Sequence, residues 1–239
     1  MIDFSDYIKT FEPTFITEPS LWKICDEYRV MAALMYFFPD EFFELKHSDK
    51  PDLQLSNVYG IEVTKCTEDS YNRSIGEWTN YRMGKNGSSF EKCKKVIDEE
   101  GGQLWGDGMI THAVSDQYTQ MKAIRAGINK KILKLKTYKE KFEKCALAII
   151  LEEPVPPVIN LTIEFFNKIQ EGHELKFDEL LIVMNYSLIR YNAIKNEITE
   201  KVFSRSESRC LSNIDVIMGN GLLKDIKECF IYQKPQEIP

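Results

Sequence analysis

The stretch that most constrains this 239-residue chain is Lys50-Pro-Asp-Leu-Gln-Leu-Ser-Asn-Val-Tyr-Gly-Ile-Glu-Val-Thr-Lys-Cys66. It reads as two short strands around a turn. With the turn centred on Asn57, Leu55 faces Tyr59, Leu53 faces Ile61 and Asp52 faces Glu62. Strand alternation then puts Leu53, Leu55, Tyr59, Ile61 and Val63 on one face, and Asp52, Gln54, Gly60, Glu62 and Thr64 on the other. Leu53, Ile61 and Val63 are therefore expected to be buried, with Asp52 and Glu62 accessible. Opposed side chains have Cβ atoms about 5 Å apart, a separation at which two carboxylates destabilise the hairpin unless something compensates. A divalent cation compensates, and magnesium prefers a pair of carboxylates together with waters and phosphate oxygens.

The surrounding pattern supplies elements to cover the apolar face. Leu21, Ile24, Tyr28, Met31, Leu34/Met35 and Phe38 recur at three-and-four spacing, which predicts a helix over 20–38 that stops before Pro39. After the hairpin, polar helices are expected near 70–82 and 89–100. Met121, Ile124, Ile128, Ile132, Leu135 and Phe142 mark one face of a long helix over 119–142. Cys145-Ala-Leu-Ala-Ile-Ile-Leu151, followed by Pro154-Val-Pro-Pro157, suits a fully buried strand. A helix near 160–171, a strand over 179–187 and an edge strand near 198–204 follow. Hairpin, helix, strand, helix, strand implies an α/β fold with a central mixed sheet, made of 51–56, 59–65, 145–151 and 179–187 and flanked by helices. The expected organisation is a single domain over 1–239, with a core of about 20–190, a helical insertion over about 67–118 and a C-terminal helical region and tail over 192–239.

Composition narrows the function classes. With 43% hydrophobic and 28% charged residues, the chain can form a sizeable core. Its longest apolar run, Val30–Phe38, is too short to span a bilayer. The acidic opening MIDFSDYIKT lacks the layout of a secretory leader, so a cytoplasmic location is expected. Cysteines 25, 66, 93, 145, 210 and 229 form no CxxC, and histidines 47, 112 and 173 do not share a helical turn, which argues against structural zinc. The net charge of −6 hides a strongly basic stretch, 121–141, with eight basic residues and one acidic. Its lysines suit either a solvated helix face or a phosphate track, since phosphate binding depends on a local patch.

Pro51-Asp52, a nine-residue gap and Glu62-Val63-Thr64-Lys65 resemble the PD-(D/E)XK nuclease superfamily, the restriction-endonuclease-like fold. Element order supports the resemblance over about 20–151, and GIEVT is similar to uncharacterised prokaryotic members. The resemblance implies Mg²⁺-dependent hydrolysis of nucleic acid, DNA in preference to RNA, with Mn²⁺ as substitute. Asp52, Glu62 and Lys65 would be catalytic. Asp52, Glu62 and the Val63 carbonyl would hold the metal, with Glu27 reaching it through a second water or metal, and Lys130, Lys131 and Lys134 would bind the nucleic acid. Many such nucleases are homodimers, although no residue here identifies an interface. A membrane partner is not expected.

One position departs from the family pattern. The family lysine lies two residues after the glutamate, where this chain has Thr64; Lys65 comes one step later, nominally on the opposite face. A bulge at 63–65 could swing Lys65 inward, another lysine such as Lys131 could reach in, or the chain could be a catalytically inactive module binding nucleic acid or protein. For the remaining candidates the ordinary readings are stronger: a helix-surface position for Glu27, core packing for Trp78, Tyr81 and Trp105, a structural or solvated loop for Asp107, His112 and Asp116, and a turn for Gly219–Lys224.

Overall fold

The centred hairpin register is present in the computed structural model, where Leu53 pairs with Ile61, Gln54 with Gly60 and Leu55 with Tyr59. The structure describes residues 2–12, 19–85, 87–104, 110–112, 117–151 and 158–232. In chain order the elements are β1 (Ile2–Phe4), α1 (Asp6–Thr10), α2 (Pro19–Phe37), α3 (Pro39–Phe42), β2 (Lys46–His47), β3 (Leu53–Leu55) and β4 (Tyr59–Lys65). They continue with α4 (Asp69–Arg82), α5 (Phe90–Glu99), β5 (Gly102–Leu104), β6 (Ile110–His112), α6 (Gln117–Ile132), α7 (Leu135–Lys139) and β7 (Lys144–Ile150). The chain completes with α8 (Val158–Glu171), β8 (Glu179–Val183), β9 (Ser187–Asn192), β10 (Glu197–Val202), α9 (Arg205–Gly219), a 3₁₀ turn (Ile226–Cys229) and β11 (Phe230–Tyr232).

Seven strands form one mixed sheet in the order β10-β9-β8-β7-β4-β3-β2. β4, β7 and β8 run parallel, and the remaining pairs are antiparallel. Each parallel step needs a crossover; α6 and α7 lie in the first and α8 in the second. Strands buried on both faces read as continuous apolar runs, as Cys145–Ile150 does. Alternation sends Ile61, Val63, Ala146, Ala148 and Ile150 into a core with α2 and α9. Leu147, Ile149, Leu180 and Ile182 enter the second core, with α6 and α8. The α/β class with helices on both faces of a mixed sheet therefore holds.

Four expectations need correction. The polar hairpin face is covered rather than accessible: Asp52 and Glu62 are each 2% exposed. The long helix over 119–142 is two helices, separated at Leu133-Lys134, where Leu133 turns to solvent and the Lys134 N–H bonds the Lys131 carbonyl. The strand expected over 179–187 ends at Val183 and returns as β9. The segment after the first hairpin also carries a small hairpin, β5–β6, beside its two helices. Trp78 and Tyr81 pack on each other, and Tyr81 also packs on Phe90. Gly221, at φ 65°, takes the left-handed turn after α9. Trp105, Asp107, Asp116 and Pro154–Pro157 lie outside the described residues, as does the His112 side chain. Among the described residues, no helix is long and apolar enough to cross a membrane.

Candidate functional site

Asp52 immediately precedes β3, and its side chain replaces the backbone partner that β3 no longer offers to β4: Oδ2 accepts the Val63 N–H at 2.7 Å. Within a strand a residue's N–H and C=O leave by the same edge, so the Val63 carbonyl projects on the Asp52 side. The turn that seats Asp52 depends on Gly60. A Cβ there would lie 2.7 Å from Pro51 Cγ and 3.2 Å from the Phe142 ring, so only glycine lets Pro51 and Phe142 close over the hairpin.

Glu62 points to the opposite sheet face from Ile61 and Val63 and meets α6. Gly127 controls that approach, since a Cβ on it would lie 2.8 Å from Cys66 Sγ. With α6 this close to β4, Lys131, one turn further on, places Nζ 2.6 Å from Glu62 Oε1 and 3.8 Å from Asp52 Oδ2. Lys134 Nζ lies 3.2 Å from the same Glu62 oxygen. The Tyr138 phenol also borders Glu62; burial and then that contact raise its pKa. Glu62 Oε2 is buried with no hydrogen-bond partner among the described residues.

The third carboxylate comes from α2. Glu27 is buried rather than on the helix surface, 3% exposed, with Lys23 Nζ 2.9 Å from Oε1 and His47 Nε2 2.6 Å from Oε2. Lys23, one helical turn earlier, also reaches Asp52 Oδ1 at 3.1 Å, and the His47 ring stacks on Tyr28. Three carboxylates thus converge, with Lys23 bridging Glu27 and Asp52, Lys131 bridging Asp52 and Glu62, and Lys134 adding a second contact to Glu62.

Their protonation divides by surroundings. Burial and the Glu62 charge push Asp52 above the usual aspartate range, outweighing the Val63 N–H and Lys131. Burial also pushes Glu62 upward, but Lys131 wins and holds it below its ordinary value. His47 and Lys23 likewise overcome burial at Glu27. The cluster therefore pairs two carboxylates that stay ionised with one that holds its proton more readily, a division suited to proton handling.

The positions singled out from sequence fall into two groups. Asp52, Glu62, Glu27 and Lys131 come together, with Lys134 at the rim, while Lys130 is exposed on α6. Lys65 is elsewhere. β4 pairs with β7 residue by residue through Lys65↔Ile150, without a bulge, so Lys65 takes the α2 and α9 side, where its charge acts on Asp215. Sequence reasoning missed Lys23, His47 and Tyr138. Lys23 and Tyr138 were open to helical spacing, four before Glu27 and seven after Lys131. The position of His47 depends on β2 pairing with β3, which no local pattern indicates.

Compared with known protein families, with curated proteins and with solved structures, the chain matches none. Among the described residues no group of three or more His, Cys, Asp and Glu side chains stands ready to hold a metal ion. The donors nevertheless suit a hard divalent cation: carboxylate oxygens from Asp52 and Glu62, the latter with an oxygen left unpartnered.

Proposed function

We propose that this chain hydrolyses phosphodiester bonds in nucleic acid at Asp52 and Glu62, with Mg²⁺, or Mn²⁺ in its place, as cofactor. The observation that carries the reading is the approach of Lys131 to both carboxylates, 2.6 Å from Glu62 and 3.8 Å from Asp52. A lysine thereby reaches the acidic pair although Thr64 stands at the expected position. Asp52 and Glu62 would hold the cation, with the Val63 carbonyl alongside. When bound, the cation supplies positive charge that polarises the phosphate and acidifies a water. Lys131 orients the attacking water and screens charge developing on the phosphoryl oxygens. Lys23 and Lys134 are the exposed amines over the buried carboxylates, so their long flexible chains can turn from the acids to a phosphate.

Calorimetric titration with Mn²⁺ and Mg²⁺, paired with cleavage assays on DNA and RNA, tests this. Binding is expected in the wild type and lost in Asp52→Ala and Glu62→Ala. Cleavage should fall at least about 100-fold in Lys131→Ala, as when a positioned catalytic group is removed, and remain near wild type in Lys65→Ala. Wild-type cleavage in both carboxylate variants overturns the assignment. One observation favours a second reading, a nuclease-fold module without catalysis. Three lysines already balance three carboxylates, so the cluster reaches charge neutrality without a cation. Metal binding without cleavage of any tested nucleic acid selects that reading.

A further inference from the structure

A cavity of about 340 Å³ opens at the end of β8, between the β8–β9 turn, α9 and α2. Arg29, Arg205 and Arg209 line it, together with Ser208, Ser212 and Tyr186. Arg205, Ser208, Arg209 and Ser212 are spaced to share one face of α9. Arg205 and Arg209 are exposed and make no ion pair among the described residues, whereas Arg29 is held by Asp215 at 2.7 Å. Tyr186 stands at the mouth, 57% exposed. Two guanidinium groups without an ion pair among the described residues suit a phosphate, which arginine can grip with two parallel hydrogen bonds; Ser212 lies on the same wall, while the Ser208 hydroxyl donates to the Asn185 carbonyl at 2.6 Å. An exposed tyrosine beside it offers a base a stacking surface.

The cavity belongs to the same end of the sheet as the acidic cluster. Val183, in its wall, pairs with Ile150, which pairs with Lys65, three residues beyond Glu62. Two strand spacings across and three residues along separate the Glu62 and Val183 backbones by about 14 Å, with the Glu62 side chain on the α6 face of the sheet and the cavity on the α2 and α9 face. The middle of α2 lies between them, with Glu27 directed to the carboxylates and Arg29 to the cavity.

We propose that this cavity binds a backbone phosphate of the nucleic-acid strand a few nucleotides from the bond presented to Asp52 and Glu62, with Tyr186 stacking on the adjoining base. The choice of a strand as ligand rests on the nuclease reading, while the phosphate chemistry rests on the cavity itself.

The test measures binding of a labelled single-stranded DNA oligonucleotide in EDTA, where no cleavage contributes, over a range of salt. The double variant Arg205→Gln/Arg209→Gln is expected to bind about tenfold or more weaker, with the slope of log affinity against log salt smaller by about 0.7 for the one lost phosphate contact. Tyr186→Ala should weaken binding about tenfold with that slope unchanged. Mn²⁺ titration of the arginine variant should match wild type, which separates this site from the acidic cluster. If oligonucleotide binding is lost in the arginine variant while the wild type cleaves nothing, the cavity assignment stands and the nuclease reading falls. Equal oligonucleotide affinity and slope in wild type and arginine variant overturn the proposal. So does a variant that loses adenosine monophosphate binding while holding the oligonucleotide as before, since the cavity then takes free nucleotides rather than a strand.

Discussion

A lysine amine 2.6 Å from a carboxylate that is 2% exposed has exchanged hydration for one short contact, and the cost of that exchange appears only when a partner is removed. Lys131→Ala leaves Glu62 with the half-exposed Lys134, and urea unfolding at neutral pH should show a loss of about 3 kcal/mol. The sign with pH follows from the lowered Glu62 pKa. The pair's contribution is complete above the ordinary glutamate range and is lost as pH falls through the folded value, so the deficit of the variant should narrow in acid. Replacing both partners, Lys131→Met with Glu62→Leu, should recover most of the loss, because no charge is then left buried alone. Gly127 acts on the same contact from a distance. Gly127→Ala pushes against Cys66 Sγ and is expected to lower stability by about 1–3 kcal/mol through overpacking. Adding Cys66→Ala should restore most of it. Failure of that rescue in a double-mutant cycle would show that the glycine does not set the α6–β4 distance.

At the scale of elements, α2 and α9 enclose Asp215, whose carboxyl burial lifts to about 7 despite Arg29 beside it. The folded protein holds a proton there that the unfolded chain releases nearer 4, so this group makes stability fall as pH rises between those values. Asp215→Asn, which keeps the shape without the titration, should flatten that part of the stability–pH curve; an unchanged curve would place the proton elsewhere. How much of each element could be read from sequence follows from how local its cause is. The β3–β4 register was legible because a turn centred on Asn57 fixes every partner, and α2, α4, α5, α8 and β7 carry their own periodicity or breakers. The separation of α6 from α7 was not, because the apolar stripe runs on from Ile132 to Leu135, both buried, across the break. The burial of Asp52 and Glu62 was equally hidden. It arises from α6 and α2 arriving with Lys131 and Lys23, and alternation within a hairpin says nothing about what covers its polar face.

Across the whole molecule, the 19 residues of α2 join two regions that have no other reason to communicate. Its first half supplies Lys23 and Glu27 to the acidic cluster. Its second half supplies Tyr36, which stacks on Phe4 at 4.6 Å; Phe4 in turn packs on Phe230, in the two-stranded sheet where β1 meets β11. That pairing joins strands from opposite ends of the sequence, and no local pattern announces it. Nine residues of helix between Glu27 and Tyr36 amount to about 13 Å, beyond the range at which substitutions without shared partners usually couple. Phe230→Ala is expected to cost about 3 kcal/mol, as the loss of a buried ring does, with Mn²⁺ affinity unchanged while the protein remains folded. Combined with Lys131→Ala, the two losses should add to within about 0.5 kcal/mol in urea unfolding at neutral pH. A coupling well above that would mean α2 transmits strain along its length, and the acidic cluster would then depend on how the β1–β11 pair is held.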